Sequence, residues 1–363
     1  MFSVKNFRKF DWTTLFLIIG IALFGLLFIF SATYKPDVTF STYFKKQLLG
    51  IISGIFLYAF FSMIDHRQLM RFGYFLYFLI MGLLAFTIVK GSVAMGGQRW
   101  VNLVFIKFQP SEMAKLLFPA FVAYFLSTQR DDFDFKFKDF LPTLIVLAIS
   151  FLLILKQPDL GTALIILFSG AIILWIAGIG KKFFIVIAAI SIIMAPIGWK
   201  VLKDYQKKRI LVFIGQGESR KERYQIEQSQ IAIGSGGLFG KGFLQGTQNK
   251  LSFLPESRTD FIFSVVCEEL GFLGALILIS LYILLFIRLF MILVRIDSPF
   301  IKIFALGIVL HVFLSVIINM FMVTGLLPIV GIPLPLFSYG LSNLWTIFIS
   351  FGWINSIKMQ TSR

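Results

Sequence analysis

The chain has 363 residues, 58% of them hydrophobic and only 14% charged, with 45 Phe, which excludes a water-soluble globular domain. Its 34 Lys and Arg exceed its 18 Asp and Glu by 16, an excess that must be placed relative to a membrane before it says anything about ligands. Cys267 is the sole cysteine and His66 and His311 are the only histidines, so internal disulfides and Cys/His metal sites are ruled out.

Apolar runs at about residues 12–33, 45–64, 72–90, 111–127, 140–156, 161–179, 183–199, 261–287, 300–324 and 338–357 predict about ten transmembrane helices, most of them near the ~20 residues needed to cross hydrocarbon. The expected fold class is an all-α polytopic membrane protein. It forms a single membrane domain over 1–363, with a long polar loop at 200–260 between the seventh and eighth helices. The first run follows Lys5, Arg8 and Lys9 but is too long for a cleaved signal, so it is read as a retained helix. With the N-terminus inside, the short cytoplasmic segments hold about 15 Lys and Arg and the opposite ones about 8. Both termini are then cytoplasmic and the 200–260 loop is extracytoplasmic.

The cytoplasmic turns are plain connectors. The outward ones gather Gly, Pro, Trp and carboxylates: Gly96 to Trp100, Gln109-Pro110-Ser111-Glu112, Gln157-Pro158-Asp159-Leu160-Gly161 and Pro255 to Asp260. Pro110 and Pro158 stand where helices are expected to begin, so positive helix ends face outward and favour anions. With Arg99, Lys107 and Lys115 they predict a cationic pocket. Glu112 and Lys115, three apart on one helix face, either serve that pocket or simply neutralise each other and fix packing. Asp260, at the start of the eighth run, is either an N-cap or a carboxylate tuned for proton transfer by its charged neighbours Glu256 and Arg258. Glu268 and Glu269, deeper in the same helix, are expected to be packing or hydrogen-bond anchors. Residues 224–233 have a helical pattern, and the glycine run 234–242 permits close approach to a ligand but lacks the strand–loop–helix setting of a nucleotide site.

These motifs, in order, resemble the SEDS glycosyltransferases, membrane enzymes that polymerise peptidoglycan. The resemblance rests on Gly96-Gly97-Gln98-Arg99-Trp100, Gln109 to Glu112 with Lys115, Gln157 to Thr162, Tyr224-Gln225 with Gln228-Ser229, the glycine run, Pro255-Glu256 with Thr259-Asp260-Phe261, and Gly325 through Pro335 to Ser338-Tyr339-Gly340. Gly246-Thr247-Gln248 leading to Leu254-Pro255-Glu256 looks like the RodA-like elongation branch. Arg258 stands where a histidine is frequent, and Leu341 and Asn343 where glycine and serine are usual.

The resemblance implies lipid II as substrate, Asp260 as the essential carboxylate and a class B penicillin-binding protein as transpeptidase partner, with other elongation-complex membrane proteins and no nucleic acid. The expected place is the bacterial cytoplasmic membrane. Substrate and pyrophosphate contacts are then expected from Arg99, Lys107, Lys115, Glu112, Asp159, Gln109 and Ser338, with Lys46 and Arg209 as weaker candidates. No cofactor is required by the motifs; Asp159 is a candidate oxygen ligand for a divalent cation, Mg or Mn. The rival readings are a lipid-precursor flippase or transporter and a noncatalytic scaffold. Motifs gathered at one face, without an evident repeat, favour the enzyme.

Overall fold

The computed structural model describes residues 9–37, 40–94, 97–103, 106–129, 133–201, 204–213, 216, 220–250 and 253–361. Each of the ten apolar runs forms a helix: α1 (Trp12–Thr33), α2 (Thr42–Met63), α3 (His66–Lys90), α4 (Pro110–Gln129), α5 (Leu141–Lys156), α6 (Leu160–Ile176), α7 (Lys181–Val201), α11 (Ile262–Val294), α12 (Pro299–Val323) and α13 (Leu341–Thr361). Six spans among the described residues are long and apolar enough to cross a bilayer: α1, α2, α3, α11, α12 and Phe137–Lys156, which ends in α5. The shorter α6 is apolar as well. The protein is a multi-pass membrane protein, and its burial pattern fits that solvent. Phe56 is 80% exposed and Ile192 75% exposed, whereas Gln47, Glu112, Lys115, Asp159 and Asn319 are buried inside the bundle.

Two expectations need correction. The chain is not purely α-helical, because Ser92–Ala94, Gly97–Leu103 and Ile106–Phe108 form β1, β2 and β3 of a small antiparallel sheet between α3 and α4. Residues 97–100 of the segment that reads as a turn are the start of β2, which pairs antiparallel with β1 on one side and β3 on the other. The 200–260 segment is also more ordered than a plain loop, holding α8 (Asp204–Phe213), α9 (Arg220–Ser235) and the single turn α10 (Thr247–Lys250). The helical pattern at 224–233 falls within α9.

Helix starts follow local chemistry. Ser41 accepts from the Phe44 amide at 3.2 Å and Asp65 from the Arg67 amide at 2.7 Å, while Pro110 opens α4 directly. At one end of the bundle Asp11 joins three helices. Its carboxylate accepts from Arg288 at 2.7 Å, Lys358 at 2.9 Å and Thr14, and its amide donates to Asn355 at 2.9 Å. Burial alone would push the Asp11 carboxyl up, but the bonds from Arg288, Thr14 and Lys358 hold it below the usual carboxylate range. Its stabilising contribution is therefore present at neutral pH and lost as pH falls through that lowered value.

The α11 helix is broken at Gly271, whose φ is +66°. The break frees backbone groups that hydrocarbon would leave unsatisfied, and the glycine run takes them up. Lys241 and Gly242 amides donate to the Glu268 and Glu269 carbonyls at 3.0 Å each, and the Phe272 amide donates to Gly237 at 2.9 Å. A Cβ at Gly240, where φ is +78°, would stand 2.1 Å from the Glu269 carbonyl oxygen. The glycines thus admit a protein backbone. Gly240→Ala combines this overlap with left-handed strain and should cost about 2–4 kcal/mol. Thermal unfolding in detergent checks it against Gly234→Ala, whose Cβ meets nothing within 4 Å; equal midpoints for the two variants would contradict this packing.

Candidate active site

The site is assembled where helix ends and two irregular segments converge. Asp159 is the N-cap of α6, its carboxylate accepting from the Thr162 amide at 3.3 Å. The helix therefore starts after Asp159 and not at Pro158, which stands one residue before the cap instead of in the first turn expected for it. The same carboxylate accepts from Gln109 Nε2 at 2.9 Å and Ser111 Oγ at 3.4 Å, and Arg99 Nη1 lies 3.5 Å away. Strand β2, the start of α4 and the start of α6 thereby meet on one buried carboxylate.

One turn into α4, Lys115 Nζ donates to Glu112 Oε1 at 2.9 Å, and Asn343 Nδ2 donates to Glu112 Oε2 at 2.6 Å. Both charged residues are buried, Lys115 being 2% exposed. In this conformation the Lys115 charge is spent on Glu112 within the bundle, the packing alternative of the two readings. Lys107 is exposed on β3 and contributes its backbone carbonyl to Ser342 at 3.0 Å. Lys46 is exposed on α2, apart from these contacts. Arg209 lies in α8, but its side chain is outside the described residues, as is Gly96.

Asp260 occupies a turn that runs from Pro255 to Phe261, immediately before α11. The helix N-cap is Phe261, so Asp260 precedes the capping position expected for it. The turn is held by buried side chains acting on its carbonyls. Asn319 Nδ2 donates to Asp260 O at 2.9 Å and to Ile332 O at 2.7 Å; Ser338 Oγ donates to Thr259 O at 2.6 Å; the Tyr339 amide donates to Arg258 O at 3.0 Å. Ser338 is in turn bound through its carbonyl by Gln47 at 3.1 Å. Ser338 thus positions the turn from behind and does not face a ligand with its hydroxyl.

The 330–332 segment links the two halves of the site. Gly161, in the first turn of α6, packs against Ile332 and the Val330 carbonyl, and a Cβ at Gly331 would stand 3.5 Å from Asp260 Oδ2. Gly331 has φ +71°, so glycine both permits this bend and leaves room beside the carboxylate.

Asn319, Asn343 and Gln47 are the members to which sequence reasoning gave no role, whereas Ser111 stands in the 109–112 motif. The available signal was a lone amide inside or at the edge of an apolar run, where an unpaired polar group is costly and must have a partner. Among the described residues no three His, Cys, Asp or Glu side chains converge on a metal position. Asp159 is surrounded by hydrogen-bond donors and a guanidinium, a set that does not fit a cation ligand.

The buried Glu112–Lys115 pair yields a stability test. Lys115→Met leaves an uncompensated carboxylate and should cost about 3–5 kcal/mol, while Glu112→Gln/Lys115→Met should recover most of that loss. Thermal unfolding of the four proteins measures the coupling; additive losses would contradict a direct pair.

A family model for the FtsW/RodA/SpoVE cell cycle proteins matches residues 11–363. The chain is 38% identical over 349 residues to the peptidoglycan glycosyltransferase MrdB of Escherichia coli K12, covering 96% of this chain and 93% of that one. It is also 38% identical to MrdB of Helicobacter pylori J99, over 97% of this chain and 91% of the relative. In structure it is similar to a chain of a peptidoglycan synthase complex that coordinates polymerisation and crosslinking, with TM-score 0.81, 27% identity, and 98% of this chain and 99% of that one covered. It is likewise similar to the rod shape determining protein RodA of Thermus thermophilus, with TM-score 0.71 and 26% identity over 98% of each chain. The chain belongs to the FtsW/RodA/SpoVE family.

Proposed function

We propose that the chain is a peptidoglycan glycosyltransferase that polymerises lipid II into β-1,4-linked glycan at the outer face of the bacterial cytoplasmic membrane during elongation. The near full-length relatives named peptidoglycan glycosyltransferase support the activity. The geometric observation that carries it is the Asp260 turn, fixed through its carbonyls while the carboxylate stays partly exposed. A flippase needs no such fixed carboxylate at a helix end, and a scaffold needs none at all.

In this reading Asp260 takes the proton from the acceptor sugar hydroxyl as that oxygen bonds to the donor's anomeric carbon. The bond from that carbon to the lipid pyrophosphate breaks on the opposite face, with inversion. Pyrophosphate leaves without a protonating acid if its developing charge is neutralised. Arg99 and Lys107 are candidates for that role, with Lys46 and Arg209 as weaker ones; Lys115 adds its field from inside the bundle while holding Glu112. Gln109 and Asp159 fix the orientation of Arg99. No step needs a metal ligated by Asp159, whose oxygens hold Arg99, Gln109 and Ser111.

The ten helices cross the membrane with both termini cytoplasmic and the 200–260 segment outside, a placement supported by the Lys and Arg asymmetry of the short turns. A class B penicillin-binding protein supplies transpeptidation, a pairing supported by the likeness to a synthase-complex chain. Other elongation proteins join them in the membrane.

Asp260→Asn keeps the size and hydrogen-bonding capacity of the side chain but removes its basicity. Polymerisation of lipid II by the purified variant should fall about 10²–10⁴-fold with partner binding and unfolding temperature unchanged. Retained glycan synthesis by a verified variant would move the base elsewhere.

A further inference from the structure

A cavity of about 710 Å³ lies between the C-terminal end of α1, the N-terminal end of α2 and the 254–258 turn. Its size is within the usual range for small-ligand sites, roughly 300–1,000 Å³. Its wall carries two cations, Lys35 and Arg258, and two carboxylates, Glu256 and Glu269. The wall thus mixes both signs, so the cavity is not built to concentrate either a polyanion or a cation. The remaining lining is rich in hydroxyls and includes Tyr43. Tyr43 is held rigidly, with the Arg258 guanidinium 4.1 Å from its ring centroid and the Tyr339 ring edge-on at 5.1 Å. Glu269 is 1% exposed, and its two oxygens accept from the Ser31 hydroxyl and from the Leu244 amide at 3.2 Å, which ties the end of α1 to residue 244 in the wall.

Planar donors and acceptors around a neutral, hydroxyl-rich space suit a polyhydroxylated, uncharged ligand. The wall is also continuous with the catalytic turn: Arg258 is two residues before Asp260, and its carbonyl is bound by the Tyr339 amide. We propose that this cavity is a saccharide subsite, holding the uncharged N-acetylated sugars of the growing glycan next to the residue that reacts at Asp260. The proposal rests on the transferase reading, and places the sugars apart from the pyrophosphate at Arg99.

The probe is chitotetraose, a β-1,4-linked N-acetylglucosamine oligomer without lipid, peptide or phosphate. Binding to the full-length protein in detergent is read by saturation-transfer NMR and titration. Wild type and Asp260→Asn should both bind with Kd of about 1 mM, a weak affinity natural to a short sugar. Glu256→Ala should weaken binding at least ~10-fold, equivalent to 1.4 kcal/mol. Thr42→Trp, which fills the cavity mouth from the exposed start of α2, should abolish it in a protein of unchanged unfolding temperature. Absence of wild-type binding at about 10 mM, or binding indifferent to both Thr42→Trp and Glu256→Ala, would overturn the subsite. Displacement of the sugar by an equal concentration of inorganic pyrophosphate would overturn it too, marking an anion site. Failure of the Asp260 assignment would appear instead as polymerisation by Asp260→Asn, with sugar binding intact.

Discussion

Asn319 donates both hydrogens of one amide to two backbone carbonyls, Asp260 O and Ile332 O, and the arrangement of the site follows from that pair of bonds. In hydrocarbon a backbone group without a partner costs several kcal/mol, so irregular chain is tolerated only where side chains or other backbone take up what a helix would have satisfied. The 255–261 and 325–340 segments are both irregular and both buried against the bundle. Asn319, from the end of α12, binds one carbonyl in each. Ser338 and Tyr339 then bind the preceding carbonyls of the Asp260 turn, and Gln47 binds Ser338 from α2. The carboxylate is left with little freedom of position although its own side chain is partly exposed.

The break at Gly271 obeys the same constraint about three turns further along α11. There the partner is backbone from the 236–242 run, reinforced by Glu268, which accepts from Lys241 at 2.7 Å and from the Thr247 amide at 2.8 Å. The helix that follows the Asp260 turn is therefore clamped at its start by α12 and the 325–340 segment, and at its break by the long segment before it. The Asp260 turn is thereby fixed on rigid elements.

The ten helices were legible because hydropathy over ~20 residues is a strong, local signal. The cluster around Asp159 was half legible: Pro and carboxylate at a helix start announce a cap, and Arg99 a cation, but nothing in the spacing says that Asp159 unites the two with Gln109. The β1–β3 sheet was hidden because its strands are short, β1 and β3 having three residues each. Asn319 was hidden for a different reason, since one amide in an apolar run reveals that a partner exists but not where. The glycine run was read as a place of close approach to a ligand, but what approaches is the α11 backbone, a contact that no local pattern encodes. Glu268 and Glu269 act as the anchors that their burial in an apolar helix required.

Replacement of Asn319 by Leu, a side chain of similar size with no hydrogen to donate, tests the central claim with Asp260 itself untouched. The account predicts that kcat for lipid II polymerisation falls at least ~10-fold while KM and the partner affinity change little, because the base is displaced and not removed. Asn319→Asp, which retains an acceptor but loses the donor, should behave like Leu. Wild-type kcat in a folded Asn319→Leu protein would contradict the claim that this amide holds the catalytic turn.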